Sequence, residues 1–253
     1  MELKQMQLKD LRDYIGSLLE VDRFRDYCPN GLQVEGRQEV LKIATGVTAS
    51  KALLDSATAW GADAIIVHHG YFWRGEEAVL TGIKKQRIAH LLSHDISLLA
   101  YHLPLDAHVE LGNNAQLAKL LGWKEHCRFG EQSVACCGEL REAQTLGELA
   151  NELARKLERE PLVIGDLASQ VKKIAWCSGA AQSYFEQAIA LGVDAFVTGE
   201  ISEQNVHLAH EAGVAFISAG HHATERYGVL ALGKHLASNF DVECQFFDKN
   251  TPV

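Results

Sequence analysis

Between residues 6 and 20 apolar side chains recur at the spacing of one helical face, Leu8, Leu11, Ile15, Leu18 and Leu19, which predicts an amphipathic helix at the start of the fold. Pro29-Asn30-Gly31 supplies a turn after it. The pattern then changes period. Residues 41–49 (LKIATGVTA) form a β-rich run. Residues 50–61 read as a helix with Ser50 as N-cap and Gly61 as C-cap, and residues 62–69 (ADAIIVHH) as a second strand. A helix over 83–94, a strand over 96–102, a loop LPLD carrying Asp106 and a helix over 113–122 complete the first half.

The second half repeats this plan. Placing Ile43 on Ile174 aligns IATGVTASKALLDSATAWGAD with IAWCSGAAQSYFEQAIALGVD without a gap, with Gly61 on Gly192 and Asp63 on Asp194. The strand AIIVHH then lies over AFVTGE, so that His68-His69 matches Gly199-Glu200. A helix near 202–212 and a strand over 214–220 follow in the same order, and the loop of Asp106 corresponds to the segment HHATE that holds Glu225. Between the repeats lie a β-like stretch (132–140) and a helix (145–158) opened by a Thr145/Glu148 capping box. The expected division is a first α/β repeat over 1–124, a connector over 125–170 and a second repeat over 171–253. Strand, helix, strand units with short connections give mostly parallel strands covered by helices on both faces. The expected fold is therefore α/β: duplicated α/β units forming three-layer α/β/α sheets, with a metal site between the two halves.

Composition narrows the functional class. With 47% hydrophobic residues in a chain of 253, a substantial core can be buried. No apolar run approaches the ~20 residues needed to cross a bilayer, and the N-terminus is a charged amphipathic pattern unlike a signal peptide, so a cytoplasmic protein with no membrane partner is expected. The six cysteines are scattered with no C-x-x-C pair and read as reduced thiols. A net charge of −9 without a basic cluster argues against binding nucleic acid backbones, since that affinity comes mainly from Lys and Arg, and no polymeric nucleic acid partner is expected.

The 12 histidines are the unusual feature, and their placement matters more than their number. His68-His69, His102, His108 and His221-His222 all fall at or just beyond predicted strand ends, where α/β sheets gather ligands. Two adjacent histidines in a regular strand point to opposite faces, but at a strand end both can be used, one per ion. His221 and Glu225, four residues apart, share one face of a helix, and Glu225 suits a bridging role. Imidazole and carboxylate together suit zinc, iron, manganese or nickel. The recurrence of these motifs at equivalent ends of a duplicated unit makes His68, His69, Asp106, His221 and Glu225 the expected metal ligands. Tyr71, Trp73 and Arg74, directly after the histidine pair, and His102 are candidate substrate contacts, able to stack on a planar base or hold a phosphate. Glu200 is a candidate acid or base, and Glu225 a second catalytic candidate.

Taken together, PNGLQVEG (29–36), GVTAS (46–50), ADAIIVHHGYFWRG (62–75), HLPLDAH (102–108), GNNAQLA (112–118), DAFVTGE (194–200) and AGHHATER (219–226) resemble the Nif-three-like dinuclear metal proteins, also called GTP cyclohydrolase 1 type 2 homologues. The resemblance runs nearly the whole chain. It implies two divalent metal ions per subunit, held by the two histidines of VHHG, the aspartate of HLPLDAH, and the first histidine and the glutamate of GHHATE. It also implies a homohexameric ring with the sites facing an internal cavity. The expected activity is hydrolysis of a small nucleotide-like substrate, by opening of a guanine ring or by attack on phosphorus. The alternative is a noncatalytic metal-binding hexameric scaffold that senses metal or binds a partner.

Overall fold

The computed structural model describes residues 6–253; residues 1–5 of the charged N-terminal stretch lie outside the described residues. In chain order the elements begin with α1 (Leu8–Leu18), β1 (Gly31–Val34), β2 (Lys42–Thr48), α2 (Lys51–Trp60), β3 (Ala64–His69), α3 (Gly82–Ser93) and β4 (Ser97–Ala100). They continue through α4 (Leu103–Ala107), α5 (Asn113–Leu121), β5 (Lys124–Phe129), β6 (Ala135–Thr145), α6 (Leu146–Leu157), β7 (Leu162–Ile164) and β8 (Gln170–Trp176). The last are α7 (Phe185–Ala190), β9 (Ala195–Thr198), α8 (Glu203–Ala212), β10 (Ala215–Ser218), α9 (His221–Asn239) and β11 (Glu243–Phe246). Two compact units result. One comprises the described residues up to Leu105 with Gly228–Lys249, the other Asp106–Tyr227 with Asn250–Val253, so the boundary falls inside α9.

In the first unit the sheet order is β1-β4-β3-β2-β11, with β2, β3, β4 and β11 parallel and β1 antiparallel at one edge. One face packs Ala44, Ile65, Val67, Leu98 and Ala100 against Leu53, Leu54 and Ala57 of α2 and Ile88 and Leu91 of α3. On the other face lie α1 and the later turns of α9, where Gly233 leaves room for Thr45: a Cβ there would sit 3.1 Å from Thr45 Cγ2. Tyr14 of α1 hydrogen-bonds His235 of α9 at 2.7 Å. Of the helical face expected from the leucine spacing, Leu8, Leu11, Ile15 and Leu19 are at most 2% exposed and Leu18 is half-buried. Burying each such side chain contributes about 1.5–3 kcal/mol.

The second unit has the sheet order β5-β6-β8-β9-β10-β7. Here β8, β9 and β10 are parallel, and β6 and β7 flank them antiparallel. Side chains alternate between two helical layers, as the two-residue period of a strand requires. Ile174, Trp176, Ala195, Val197 and Ile217 pack with α5 and α6. Phe196 and Phe216 turn to the opposite face, against Phe185 of α7. Both units are thus three-layer α/β/α sheets.

The duplication holds residue by residue. Ile43 pairs with Ala64 across β2 and β3, and Ile174 with Ala195 across β8 and β9. Asp63 Oδ2 accepts hydrogen bonds from the backbone N–H groups of Leu41 and Lys42, and Asp194 Oδ2 accepts them from Lys172 and Lys173. The third strands match with a different offset: Ser97 pairs with Ala64 and Ala215 with Ala195. The shift that takes Ser97 onto Ala215 takes Asp106 onto Thr224, the neighbour of Glu225.

The compact units do not follow the division expected from the sequence. The connector 125–170 supplies most of β5 and all of β6 and β7 to the second sheet and all of α6 to a layer packed on it, and the C-terminal β11 returns to pair with β2 of the first. The expectation of six reduced thiols is also corrected. The β5–β6 register sets Cys127 opposite Cys137, with Cα atoms 5.1 Å apart, and the two are joined by a disulfide. Cys28, Cys136, Cys177 and Cys244 are free thiols, the first three buried.

Candidate metal centre

Each unit carries a cluster of candidate ligands at the C-terminal ends of its parallel strands, where the backbone leaves the sheet and side chains converge. In the first unit His68 and His69 end β3, and His102 follows β4. The sheet fixes their rings through one nitrogen each. His68 is fully buried, and its Nδ1 lies 2.9 Å from the Tyr101 carbonyl oxygen. A carbonyl only accepts, so Nδ1 donates and the lone pair resides on Nε2. His102 Nδ1 is 2.7 Å from Asp26 Oδ1, with the same consequence. His69 Nδ1 is 3.2 Å from the Thr48 hydroxyl at the end of β2. One ligand nitrogen from each of the three imidazoles lies within 4.8 Å of the other two.

In the second unit, the strands β8, β9 and β10 prolong their pairing past their ends: Gly199 N–H donates to the Gly179 carbonyl and Gly220 N–H to that of Gly199. Gly179 has φ +68°, a backbone conformation that strains any L side chain, and a Cβ there would push the Glu225 carboxylate aside. Gly220 leads into α9, whose first turn holds His221 and Glu225 on one face as expected. His221 Nε2 is 3.1 Å from Glu225 Oε2, and His221 Nδ1 is 2.6 Å from Glu200 Oε1. Burial alone would lower the His221 pKa, but the Glu225 and Glu200 carboxylates at its two nitrogens raise it to about 9. Asp106, in α4, is buried and accepts hydrogen bonds on Oδ1 from Asn113 Nδ2 and Ser178 Oγ, both at 2.9 Å. One carboxylate oxygen of Asp106 lies within 4.8 Å of one of Glu225. Glu200 and Glu225 thus flank the His221 imidazole, and the buried Asp106 carboxylate lies close to Glu225, a concentration of negative charge that is costly without a cation.

The structure sorts the remaining candidates. Trp73 borders the histidines, its ring 6.0 Å from that of His69 and 5.0 Å from that of His102. Tyr71 is buried, 6% exposed, with its hydroxyl donating to the Ala49 carbonyl. Arg74 is tied to the Asp26 carbonyl and lies over the Tyr27 ring. Glu200 is engaged in orienting His221. His108 Nδ1 accepts the backbone N–H groups of Glu110 and Leu111, a turn-stabilising arrangement. His222 is buried, its N–H donating to the Val253 carbonyl. Sequence reasoning missed Asp26, Thr48, Asn113 and Ser178, the residues that hold the candidate ligands in place. Thr48 and Ser178 sit in the aligned repeat at strand ends, a signal that could have found them; Asp26 has none.

Comparison with known proteins agrees with this architecture. The chain is 53% identical over 245 residues to a Neisseria meningitidis serogroup B protein named GTP cyclohydrolase 1 type 2 homolog, covering 97% of this chain and 98% of the relative. It is 50% identical to an Escherichia coli protein of the same name, covering 98% and 100%. Among solved structures, protein ybgI, described as of unknown function, superposes with a TM-score of 0.94 at 49% identity, covering 98% of this chain and 100% of that one. TTHA1606 from Thermus thermophilus gives 0.89 at 34% identity, with the same coverage. Residues 6–252 match the family described as Duf34/NIF3 (NGG1p interacting factor 3), and the chain belongs to that family.

Proposed function

We propose that this protein is a dinuclear metal-dependent hydrolase of a small nucleotide-like substrate, with His68, His69, Asp106, His221 and Glu225 holding two divalent cations. The observation that carries the reading is the way the imidazoles are held. His68, His102 and His221 each donate Nδ1–H to a carbonyl or carboxylate oxygen, which fixes the ring and directs Nε2 away from its anchor. Outer oxygen partners of this kind are the usual companions of metal-bound histidine. The carboxylates fit as well. Glu225 lies near His221 on one side and Asp106 on the other, the placement a shared carboxylate needs.

Bound divalent cations would supply Lewis acidity and water acidic enough to act as a nucleophile near neutral pH. The chain's own residues supply the rest. Asn113 and Ser178 fix the Asp106 carboxylate, and Glu200 fixes the His221 ring. Trp73 offers an aromatic surface beside the histidines for a planar base. The relatives' name suggests a guanine nucleotide as first substrate to try. Incubating metal-loaded protein with GTP separates the chemistries: formate release supports ring opening, phosphate release supports phosphoester hydrolysis, and turnover of neither kind contradicts the enzymatic reading.

A second reading is favoured by the complete burial of His68 and the near-complete burial of Asp106 and Glu225, which suit a closed, structural metal site. On that reading the metal orders a noncatalytic hexameric scaffold. Glu225→Gln distinguishes the two. An intact ring by light scattering with lost turnover supports the enzyme, whereas dissociation supports the scaffold. The homohexamer, with its sites facing an internal cavity, is part of the same proposal. So is a cytoplasmic location, consistent with the absence of any helix among the described residues long and apolar enough to cross a membrane.

A further inference from the structure

We infer that the Cys127–Cys137 pair is a thiol-redox site at the edge of the second sheet, whose oxidised or reduced state reaches Asp106 through Arg128. The metal consequence of that last step rests on the metal-binding reading above; the redox chemistry does not. The two cysteines face each other across β5 and β6, with Cα atoms 5.1 Å apart, and are joined by a disulfide. β5 is the outermost strand of its sheet, so its ladder has a partner on one side alone, and that ladder is irregular between Glu125 and Cys127. A unit with an apolar core as large as that around Leu149, Leu153, Ile174 and Trp176 has no need of a covalent staple at its rim. An exposed disulfide in such a place is of the labile rather than the structural type.

The two cysteines differ in access. Cys127 is exposed, whereas Cys137 is buried. The thiolate of a dithiol reductant therefore attacks Cys127 Sγ, the S–S bond breaks, and Cys137 leaves as the thiolate and takes up a proton. The reductant's second thiol then loses its proton and attacks the mixed disulfide, closing the reductant's own disulfide and releasing Cys127. Two electrons and two protons pass to the protein, and a disulfide oxidant runs the same steps in reverse. Cys136, the neighbouring residue, does not compete. It is fully buried with its thiol donating to Glu125 Oε2 at 3.5 Å, and burial pushes it up to about 12, away from the reactive thiolate.

Arg128 follows Cys127 in β5 and carries its state inward. The Arg128 guanidinium is held by Glu125, Nε donating to Oε1 at 2.6 Å, and donates from Nη1 to the carbonyl of Ala107, the residue bonded to Asp106. With the link intact, β5 keeps Arg128 on Ala107 and so steadies the backbone from which the Asp106 carboxylate reaches Asn113 and Ser178. Reduction removes a covalent tie between β5 and β6. The edge strand then opens more often, the Arg128–Ala107 hydrogen bond is made a smaller share of the time, and Asp106 is less firmly placed.

The redox site is tested on metal-free protein equilibrated at varied ratios of reduced to oxidised dithiothreitol, quenched with acid, alkylated and read by mass spectrometry, with circular dichroism following the fold. One reversible two-electron transition, taking Cys127 and Cys137 together in folded protein, is expected. A pair that never oxidises, or that stays oxidised until the protein unfolds, overturns the inference. The route to Asp106 is tested on the two states after anaerobic desalting, by amide hydrogen exchange over 103–114 and 124–129 and by Mn²⁺ binding read from the free ion's electron paramagnetic resonance signal. Mn²⁺ favours oxygen and nitrogen ligands over thiolate, so the freed cysteines do not disturb the reading. Reduced wild type, and Cys127→Ser/Cys137→Ser in either buffer, should exchange faster in both segments and bind Mn²⁺ about fivefold more weakly than oxidised wild type. Arg128→Met should bind weakly in both states and lose the response over 103–114 while keeping the redox transition. Equal exchange over 103–114 and equal Mn²⁺ affinity in the two wild-type states overturns the route through Arg128. Redox-dependent exchange with no Mn²⁺ binding in either state counts against the metal reading and leaves this inference standing.

Discussion

The duplicated aspartates give the most direct access to the energetics of the fold. Asp63→Ala removes the acceptor of two backbone N–H groups, Leu41 at 2.9 Å and Lys42 at 2.8 Å, together with an ion pair to Arg37 at 2.8 Å. Each hydrogen bond to a charged acceptor is worth ~1.5–3 kcal/mol. Because Leu41 is exposed and water can partly replace the lost acceptor, the low end applies, about 3 kcal/mol for the pair. Arg37 is 43% exposed, so its ion pair adds at most ~1 kcal/mol. Asp194→Ala removes the equivalent bonds from Lys172 and Lys173, both at 2.8 Å, and is expected to cost about 3 kcal/mol without that extra contribution. Either loss corresponds to a fall of roughly 6–12 °C in melting temperature. Urea unfolding followed by tryptophan fluorescence checks it, with Trp60 and Trp73 reporting on the first unit and Trp123 and Trp176 on the second. If either variant loses under about 1 kcal/mol, the carboxylate does not anchor its strand as argued.

Gly179→Ala strains a left-handed backbone position and forces the Glu225 carboxylate aside; a stability loss of about 1–2 kcal/mol and weaker metal binding are expected, and unchanged binding contradicts the packing argument. Alkylation of unfolded, unreduced protein should label four cysteines and reduction should expose two more, read by mass spectrometry; six labels before reduction contradicts the Cys127–Cys137 link. For pH, the Asp26 carboxyl lies below its ordinary value, at about 2 rather than 3.8. Its contribution to stability is therefore present above about pH 4 and is lost as pH falls through about 2. Asp26→Asn should flatten that part of the acid-stability profile, and an unaltered profile refutes the assignment.

Much of the architecture was legible because local chemistry and global fold agree. The capping of residues 50–61 is as read: Ser50 Oγ accepts the Leu53 N–H and Gly61 adopts φ +81°. So is the Thr145/Glu148 capping box. The repeat led correctly to parallel strands ending in His68-His69 and in Gly199-Glu200, because a buried parallel strand carries an uninterrupted apolar run in sequence. Two of the strands that escaped notice carry no such run, and a third, Leu162–Ile164, is apolar but only three residues long. Lys124–Phe129 is polar and largely exposed at a sheet edge, and Glu243–Phe246 is a short alternating edge strand whose partner lies some two hundred residues away. Pairing across such a distance leaves no mark on either segment alone. At the site, the candidate ligands stood out by type and position, whereas Asp26 is an ordinary aspartate between polar neighbours until the fold carries it to His102.

Metal content measured directly on reconstituted protein bears hardest on the central claim. After exposure to Zn²⁺, Mn²⁺ or Fe²⁺ and exhaustive desalting, elemental analysis should find about two ions per chain for one of these metals, falling by at least half in His68→Ala and in Glu225→Gln. Retention of essentially no metal by folded wild-type protein, or equal retention by wild type and both variants, would mean that these histidines and carboxylates do not form a metal centre.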